Sequence, residues 1–339
     1  MVTIEQVRAS NAQISKSLPA GLVAVFVGGT NGVGEVTIKQ FVKHTIRPRV
    51  FLVGRSKEAG NRIIAECKAI NPDGIYVLIL KELSLLKNVD EVCKEILAQE
   101  THINLLFLTI GTLQAGLRQE TAEGLHYAAA LLIYSRNRFI SNLLPAIERA
   151  PHLKRVISVF LGSMEGKINM SDFQGWNLGL MENKGHASSI TTLALENHAS
   201  AAPKTTFIHT FPGPVKGGIL RGTKGFGFGL AKAASKILLP LVQMPPQDAG
   251  DRHVYLATSA RYSAKEEKEA TQGVPISNDV DITIGSNGGP GVYSLFLDGE
   301  ALKQPARQIL AEYRKDGTSQ KVWSIIEKEF VNITGTKSM

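Results

Sequence analysis

The chain has 339 residues, 43% of them hydrophobic, and a formal net charge of +8. This is an ordinary globular composition with apolar material for a large core. The Lys and Arg residues are scattered, aromatics make up only 6%, and no basic run is interleaved with aromatic residues, which argues against a nucleic-acid binder.

Read from the N-terminus, Met1 to Leu18 is polar and lacks the apolar core of a secretory signal. Ile4, Val7 and Ile14 recur at helical spacing, so residues 1–20 read as a helical lead stopped by Pro19-Ala20-Gly21. Strand and helix patterns then alternate. Continuous apolar, strand-like runs lie at Leu22–Val27, Arg49–Val53, Ile75–Ile79, Asn104–Thr109, Arg155–Phe160 and Thr206–Thr210, with helical patterns near 33–45, 56–70, 88–99, 122–149 and 185–201. Apolar strands alternating with helices predict an α/β fold: a doubly wound, Rossmann-type parallel sheet over 21–300 with helices on both faces.

Beyond about residue 211 the pattern loosens. Several glycines precede an apolar stretch, Leu230 to Val242, and Pro245-Pro246 closes it; residues 218–247 read as a lid inserted at the mouth of the sheet, with a membrane-lying helix as the rival reading. Asp248–Ser259 reads as a helix, Val292–Leu297 as a last strand, and 301–339 as a helical tail broken near Gly317. Cys67 and Cys93 are the only cysteines, and no His stands at metal-ligand spacing from them; they read as two buried thiols of a reducing compartment, with no metal site. No apolar run reaches the ~18 residues needed to span a bilayer, so stable membrane insertion is not expected and the cytoplasm is the expected location.

The most informative segment is Ala24-Val25-Phe26-Val27-Gly28-Gly29-Thr30-Asn31-Gly32-Val33-Gly34-Glu35. An apolar strand enters a glycine-rich turn that opens a helix, the order that builds a dinucleotide phosphate site: the glycines allow a sharp turn and close approach, and the helix N-terminus faces the anion. Gly28, Gly32 and Gly34 follow Gly-x-x-x-Gly-x-Gly, and Thr30, Asn31 and Val33 share the turn. The second strand ends Val53-Gly54-Arg55-Ser56-Lys57. Where an NAD site places an acidic residue, Arg55 suits a 2′-phosphate, with Ser56 as a further donor. These residues predict NADP(H).

The same residues resemble the short-chain dehydrogenase/reductase family. Its glycine pattern matches Gly28, Gly32 and Gly34, and its NADP-type arginine matches Arg55. Its acidic-Leu pair, which holds the adenine, appears as Glu82-Leu83. Of its Asn-Ala-Gly element, only the glycine remains in Thr109-Ile110-Gly111, while its Pro-Gly element is intact as Pro212-Gly213, with Val215 where the backbone meets the nicotinamide carboxamide. Glu123-Gly124-Leu125-His126-Tyr127 and the segment Arg252 to Ala260 resemble a fungal branch associated with secondary-metabolite gene clusters.

The resemblance implies reduction of a carbonyl by a Tyr-x-x-x-Lys pair, a Ser and an Asn. Here the chain departs from the family: there is no tyrosine between Tyr134 and Tyr255. The Tyr position falls at Asn183 or Lys184, the Lys position at Ala187 or Ser188, the Ser position near Phe160 or Leu161 with Ser163 slightly later, and the Asn position near Ile133. His186 is the leading substitute proton donor, since an imidazole exchanges protons near neutral pH. Lys184 could hold a ribose or phosphate or act as an acid, Ser163 could bind a polar substrate group, Glu165 and Glu182 are candidate carboxylate partners, and Tyr134 could face the site from its helix.

Three readings follow. The first is an NADP(H)-dependent oxidoreductase acting on a carbonyl or alcohol of a bulky, largely apolar small molecule, with a rebuilt proton donor. The second is a non-redox enzyme on the same fold, an isomerase, cyclase or cycloaddition catalyst working by positioning. The third is an NADP(H)-sensing binding protein. All three are compatible with a homo-oligomer.

Overall fold

The computed structural model describes residues 2–112, 119–215, 244–266 and 273–339. Its centre is a seven-stranded sheet formed by β1 (Val23–Val27), β2 (Arg49–Gly54), β3 (Ile75–Leu80), β4 (Leu105–Leu108), β5 (Arg155–Val159), β6 (Thr206–Thr210) and β7 (Val292–Leu295), in the order β3-β2-β1-β4-β5-β6-β7. Every pairing is parallel. β1, β4, β5, β6 and β7 are buried along their whole length, and β1 and β4 accordingly read as unbroken apolar runs rather than alternating ones.

The helices are α1 (Ile4–Asn11), α2 (Ile14–Ser17), α3 (Gly32–His44), α4 (Lys57–Ile70), α5 (Leu86–Leu97), α6 (Tyr127–Ala129), α7 (Ser135–Glu148), α8 (Leu180–Ala201), α9 (Pro246–Thr258), α10 (Gln304–Lys315) and α11 (Thr318–Thr334). On one face of the sheet, Phe41 of α3 packs on Phe26 of β1 and Phe107 of β4 packs on the same ring, with centroids 5.8 and 5.3 Å apart; α9 completes that layer with Val254 and Leu256. On the other face, Val89, Val92 and Ile96 of α5 and Phe139, Leu143 and Ile147 of α7 pack on Val25, Val53 and Leu106. The tail adds an outer layer: Leu310, Val322, Ile326 and Phe330 bury against Ile190, Leu193 and Ala194 of α8.

Several boundaries move from their sequence-based positions, each for a local reason. The helix expected over 122–149 begins only at Tyr127, because residues 120–126 form a turn closed by an antiparallel bridge between Glu120 and His126. It also contains a π-helical segment, Ala130–Tyr134, between α6 and α7, a form concentrated at functional sites. The helix expected from residue 185 starts at Leu180, where Glu182 accepts the N–H of Gly179 at its start. The tail breaks at Gly317, in the left-handed conformation, as the sequence indicates. Cys67 and Cys93 are both buried and unpaired, and burial pushes the Cys67 thiol up to about 12.

The lid expected over 218–247 lies mostly outside the described residues. Its flanks are described: Val215 and Met244 form a parallel bridge, Met244 donates its N–H to Pro214 O at 3.0 Å, and α9 starts at Pro246. No described helix is long and apolar enough to cross a membrane.

Four buried histidines carry a stability consequence. Burial lowers the pKa of His186, His198, His209 and His253, that of His198 to about 3 and that of His253 to about 4. In the unfolded chain these rings titrate near the ordinary 6.5. Between those values the unfolded state binds more protons, so stability is present above 6.5 and is lost as pH falls. The thermal midpoint should therefore fall as pH is lowered from about 6.5 toward 4. The slope should be shallower in His198→Gln, which keeps a donor to Asn137 Oδ1 (3.0 Å in the native chain) without the titration. A midpoint independent of pH in this window would show that these rings are not neutral in the folded protein.

Candidate active site

The glycine turn lies where β1 meets β4. A Cβ at Gly28 would stand 2.8 Å from both Thr109 Oγ1 and Ile110 N, and one at Gly34 would stand 2.8 Å from Gly29 Cα. Gly28 also has φ of 88°, so sterics and conformation both require glycine there. Thr109, in the position where the family has Asn, donates its hydroxyl to the carbonyls of Val27 and Gly28, tying β4 to the turn. Asn31 caps α3, accepting the N–H of Gly32 at 2.7 Å. Thr30 packs against the end of β2, where a Cβ on Gly54 would meet its Cγ2, and Val33 packs on the core below. The result is a helix N-terminus with its first turn open above the sheet, a favourable place for a phosphate.

One strand over, Arg55 follows β2 and its side chain is 64% exposed. Nη1 donates to Glu82 Oε2 at 3.1 Å and to the Tyr127 hydroxyl at 3.0 Å; Nη2 and Nε have no partner among the described residues. Ser56 is the N-cap of α4, accepting the Ala59 N–H at 3.2 Å. Glu82 also accepts the Ser84 N–H through Oε1, while Leu83 is buried and its carbonyl accepts the Ser135 hydroxyl. Arg55, Ser56, Glu82 and Tyr127 thus converge at the outer end of the crevice.

At its inner end, Gly111 is exposed beyond β4, and Pro212, Gly213 and Val215 follow β6. Beneath them lies Arg136, 3% exposed. Its guanidinium donates to the carbonyl of Ile110, to the Ser158 hydroxyl at 2.7 Å and to the carbonyl of Val159 at 3.0 Å. It thereby binds the ends of β4 and β5 together, and it stands 5.6 Å from the Phe160 ring centroid. Burial pushes it down to about 9, which leaves it cationic at neutral pH.

The three residues the sequence offers for catalysis are placed differently. His186 is 1% exposed. Its Nδ1 accepts the Asn169 N–H at 3.1 Å and its Nε2 donates to Phe173 O at 2.9 Å. Both nitrogens are occupied by backbone, the ring is neutral, and burial lowers its pKa. Lys184 is half-buried, with Nζ 3.8 Å from Met181 Sδ. Ser163 has φ of 66°, a strained conformation of the kind that clusters at functional sites, and its Oγ is buried without a partner among the described residues. Tyr134 is 1% exposed in the core. Glu182 lies at the exposed start of α8.

A group that sequence reasoning did not assemble surrounds Glu165. Glu165 Oε1 accepts the hydroxyls of Thr192 at 2.6 Å and Ser294 at 2.5 Å. His209 Nε2 accepts the Leu161 N–H at 3.2 Å, and its Nδ1 stands 2.8 Å from Thr192 Oγ1. These partners fix the neutral Nδ1–H tautomer, because the Thr192 proton is already directed to Glu165. The available signals were weak: Arg136 stands among the polar residues Ser135, Asn137 and Arg138, and His209 is one of several polar residues in a short strand.

No family model matches the chain. It is 36% identical to the oxidoreductase AN1596 of Emericella nidulans over 331 residues, 96% of this chain and 97% of that protein. It is 31% identical to the short-chain dehydrogenase/reductase SAT2 of Stachybotrys chartarum over 350 residues, 95% of each. The chain belongs to the short-chain dehydrogenase/reductase family, and these relatives are fungal oxidoreductases. Among solved structures, the KRED1-Pglu enzyme superposes with a TM-score of 0.53 at 17% identity over 70% of this chain and 94% of that one. The L-sorbose reductase of Gluconobacter frateurii, complexed with NADPH and L-sorbose, gives 0.52 at 14% over 76% and 98%. The MalC reductase/Diels-Alderase of Malbranchea aurantiaca gives 0.50 at 16% over 78% and 98%.

Replacing His186 tests its place in this arrangement. His186→Ala should leave the Asn169 N–H and Phe173 C=O unpaired and open a cavity, lowering stability by about 2–4 kcal/mol. A melting curve matching the native protein would show that the ring is not a structural brace.

Proposed function

We propose that this protein is an NADP(H)-dependent oxidoreductase acting on a carbonyl or alcohol of a bulky, largely apolar metabolite in fungal secondary metabolism, with a non-standard proton donor. The observation that carries this reading is Arg55, exposed at the N-terminus of α4 beside the glycine turn, with Nη2 and Nε free among the described residues. The pyrophosphate would lie over Gly28–Gly34 and the start of α3, and the adenine beside Glu82 and Leu83. A 2′-phosphate would meet Arg55 and Ser56, displacing Glu82 from Nη1. The nicotinamide would reach Gly111, Gly213 and Val215. When bound, the cofactor supplies the hydride; the chain orients it, excludes water and handles the proton. Absent the usual Tyr and Lys, the groups at hand are Ser163, Lys184 and the buried cluster around Glu165.

A second reading, a cycloaddition or other non-redox catalyst, is favoured by the missing Tyr-x-x-x-Lys pair together with the likeness to a protein named both reductase and Diels-Alderase. Titration with NADPH, followed by the nicotinamide absorbance with candidate carbonyls, separates the two: consumption supports the first, and rearrangement without cofactor supports the second. Arg55→Ala should weaken NADPH binding by about 10–100-fold, the scale of a lost charge-assisted contact, and leave NADH nearly unchanged. Equal losses for both cofactors would overturn the 2′-phosphate assignment.

A further inference from the structure

The carboxylate of Glu165 is used at one oxygen only. Oε1 accepts two hydroxyls, from Thr192 on α8 and Ser294 on β7, whereas Oε2 is buried with no partner among the described residues. A buried carboxylate oxygen without a donor is costly, and natural proteins rarely leave one without a reason. Two residues earlier on the same loop, Ser163 Oγ is likewise buried and without a partner among the described residues. The loop that carries both is held from several sides. Ser163 N–H donates to Ser294 Oγ at 2.8 Å, Leu161 N–H to His209, and Leu161 O accepts the Ser188 hydroxyl at 2.7 Å. This loop follows β5, directly after Phe160 and Leu161, where the resemblance places the family's catalytic Ser.

The hydrogen bonds in this cluster run one way. His209 donates to Thr192, Thr192 donates to Glu165 Oε1, and Ser294 donates to the same oxygen. Every fixed donor thus ends on Oε1, and Oε2 is left to accept from something the described chain does not provide. Phe160 stacks on the His209 ring with centroids 6.2 Å apart, and the guanidinium of the buried Arg136 stands 5.6 Å from the Phe160 centroid.

We propose that Glu165 is the catalytic acid–base of this protein, exchanging the substrate's proton at Oε2, with Ser163 Oγ hydrogen-bonded to the same substrate oxygen. The substrate class is a secondary alcohol or the corresponding ketone. In oxidation the alcohol O–H bond breaks and its proton bonds to Oε2, while the two electrons of the carbinol C–H bond leave as hydride to an oxidised nicotinamide. In reduction the Oε2–H bond breaks, the proton bonds to the carbonyl oxygen as its carbon receives hydride from a reduced nicotinamide, and the electron pair stays on the carboxylate. Thr192 and Ser294 hold that carboxylate through Oε1. This assignment rests on the oxidoreductase reading above.

Glu165→Gln tests it, because the amide keeps the shape and an oxygen for Thr192 and Ser294. Bulky 9,10-phenanthrenequinone with NADPH is the turnover probe, and melting of the cofactor-free protein is the second readout. The expected result is a loss in kcat of about a hundredfold or more, unchanged NADPH affinity by fluorescence, and a thermal midpoint within about 2 °C of the native value or above it. Ser163→Ala should lower kcat about tenfold with the same unchanged midpoint. Native-level turnover in Glu165→Gln overturns the proposal. So does a midpoint well below native, which would make Glu165 a structural brace; this outcome is read whether or not the quinone is turned over. Failure of the native protein to consume NADPH counts against the oxidoreductase reading, and the melting result then decides whether the free oxygen is a functional group.

Discussion

The reversal of strand order between β1 and β4 is the constraint on which the rest depends. Because β2 and β3 extend one way from β1 and β4 to β7 extend the other, the chain leaving β1 must turn in the crevice between two diverging crossovers. That turn has almost no room: Thr109 Oγ1 and the backbone of Ile110 press against Gly28, and Gly29 against Gly34. Sheet topology thus dictates glycine, glycine permits the turn, and the turn delivers a helix N-terminus to the point where strand order reverses, the place at which open α/β sheets bind ligands. Arg55 and Glu82 follow from the same geometry, since they cap the two strands that lie beside β1 on its far side.

The inner half of the crevice is organised by polar groups rather than by glycine. Arg136 takes the role of a fastener, its donors spent on the carbonyls of Ile110 and Val159 and on Ser158. A cation with no carboxylate partner is an expensive thing to bury. Here it is hydrogen-bonded at several donors, so the charge is held in place where β4 and β5 end.

The half of the fold around the glycine turn was legible in the sequence because its determinants are local. Val23–Val27 is contiguous with its glycines, and Arg55 directly follows its strand. The core helices were legible from periodicity. The chemistry of the inner site was not, because it is assembled from residues far apart in the chain: Glu165 from a loop, Thr192 from α8, His209 from β6 and Ser294 from β7 meet only through tertiary packing. His186 shows the opposite failure. A histidine near an expected catalytic position looks reactive in one dimension, but folding wedges it between Asn169 and Phe173 and occupies both of its nitrogens. The π-helical segment at Ala130–Tyr134 and the late start at Tyr127 were also invisible, since both depend on how the preceding turn closes.

The bridge between Val215 and Met244 has a consequence for how such a protein can diversify. The two anchors are fastened to each other by the scaffold itself, and the entropic cost of joining fixed ends changes only slowly with the length of chain between them. The anchors themselves sit beyond β6 and just before α9. A change of length between the two anchors therefore carries only a small entropic cost for the fold, which leaves that part of the sequence open to revision.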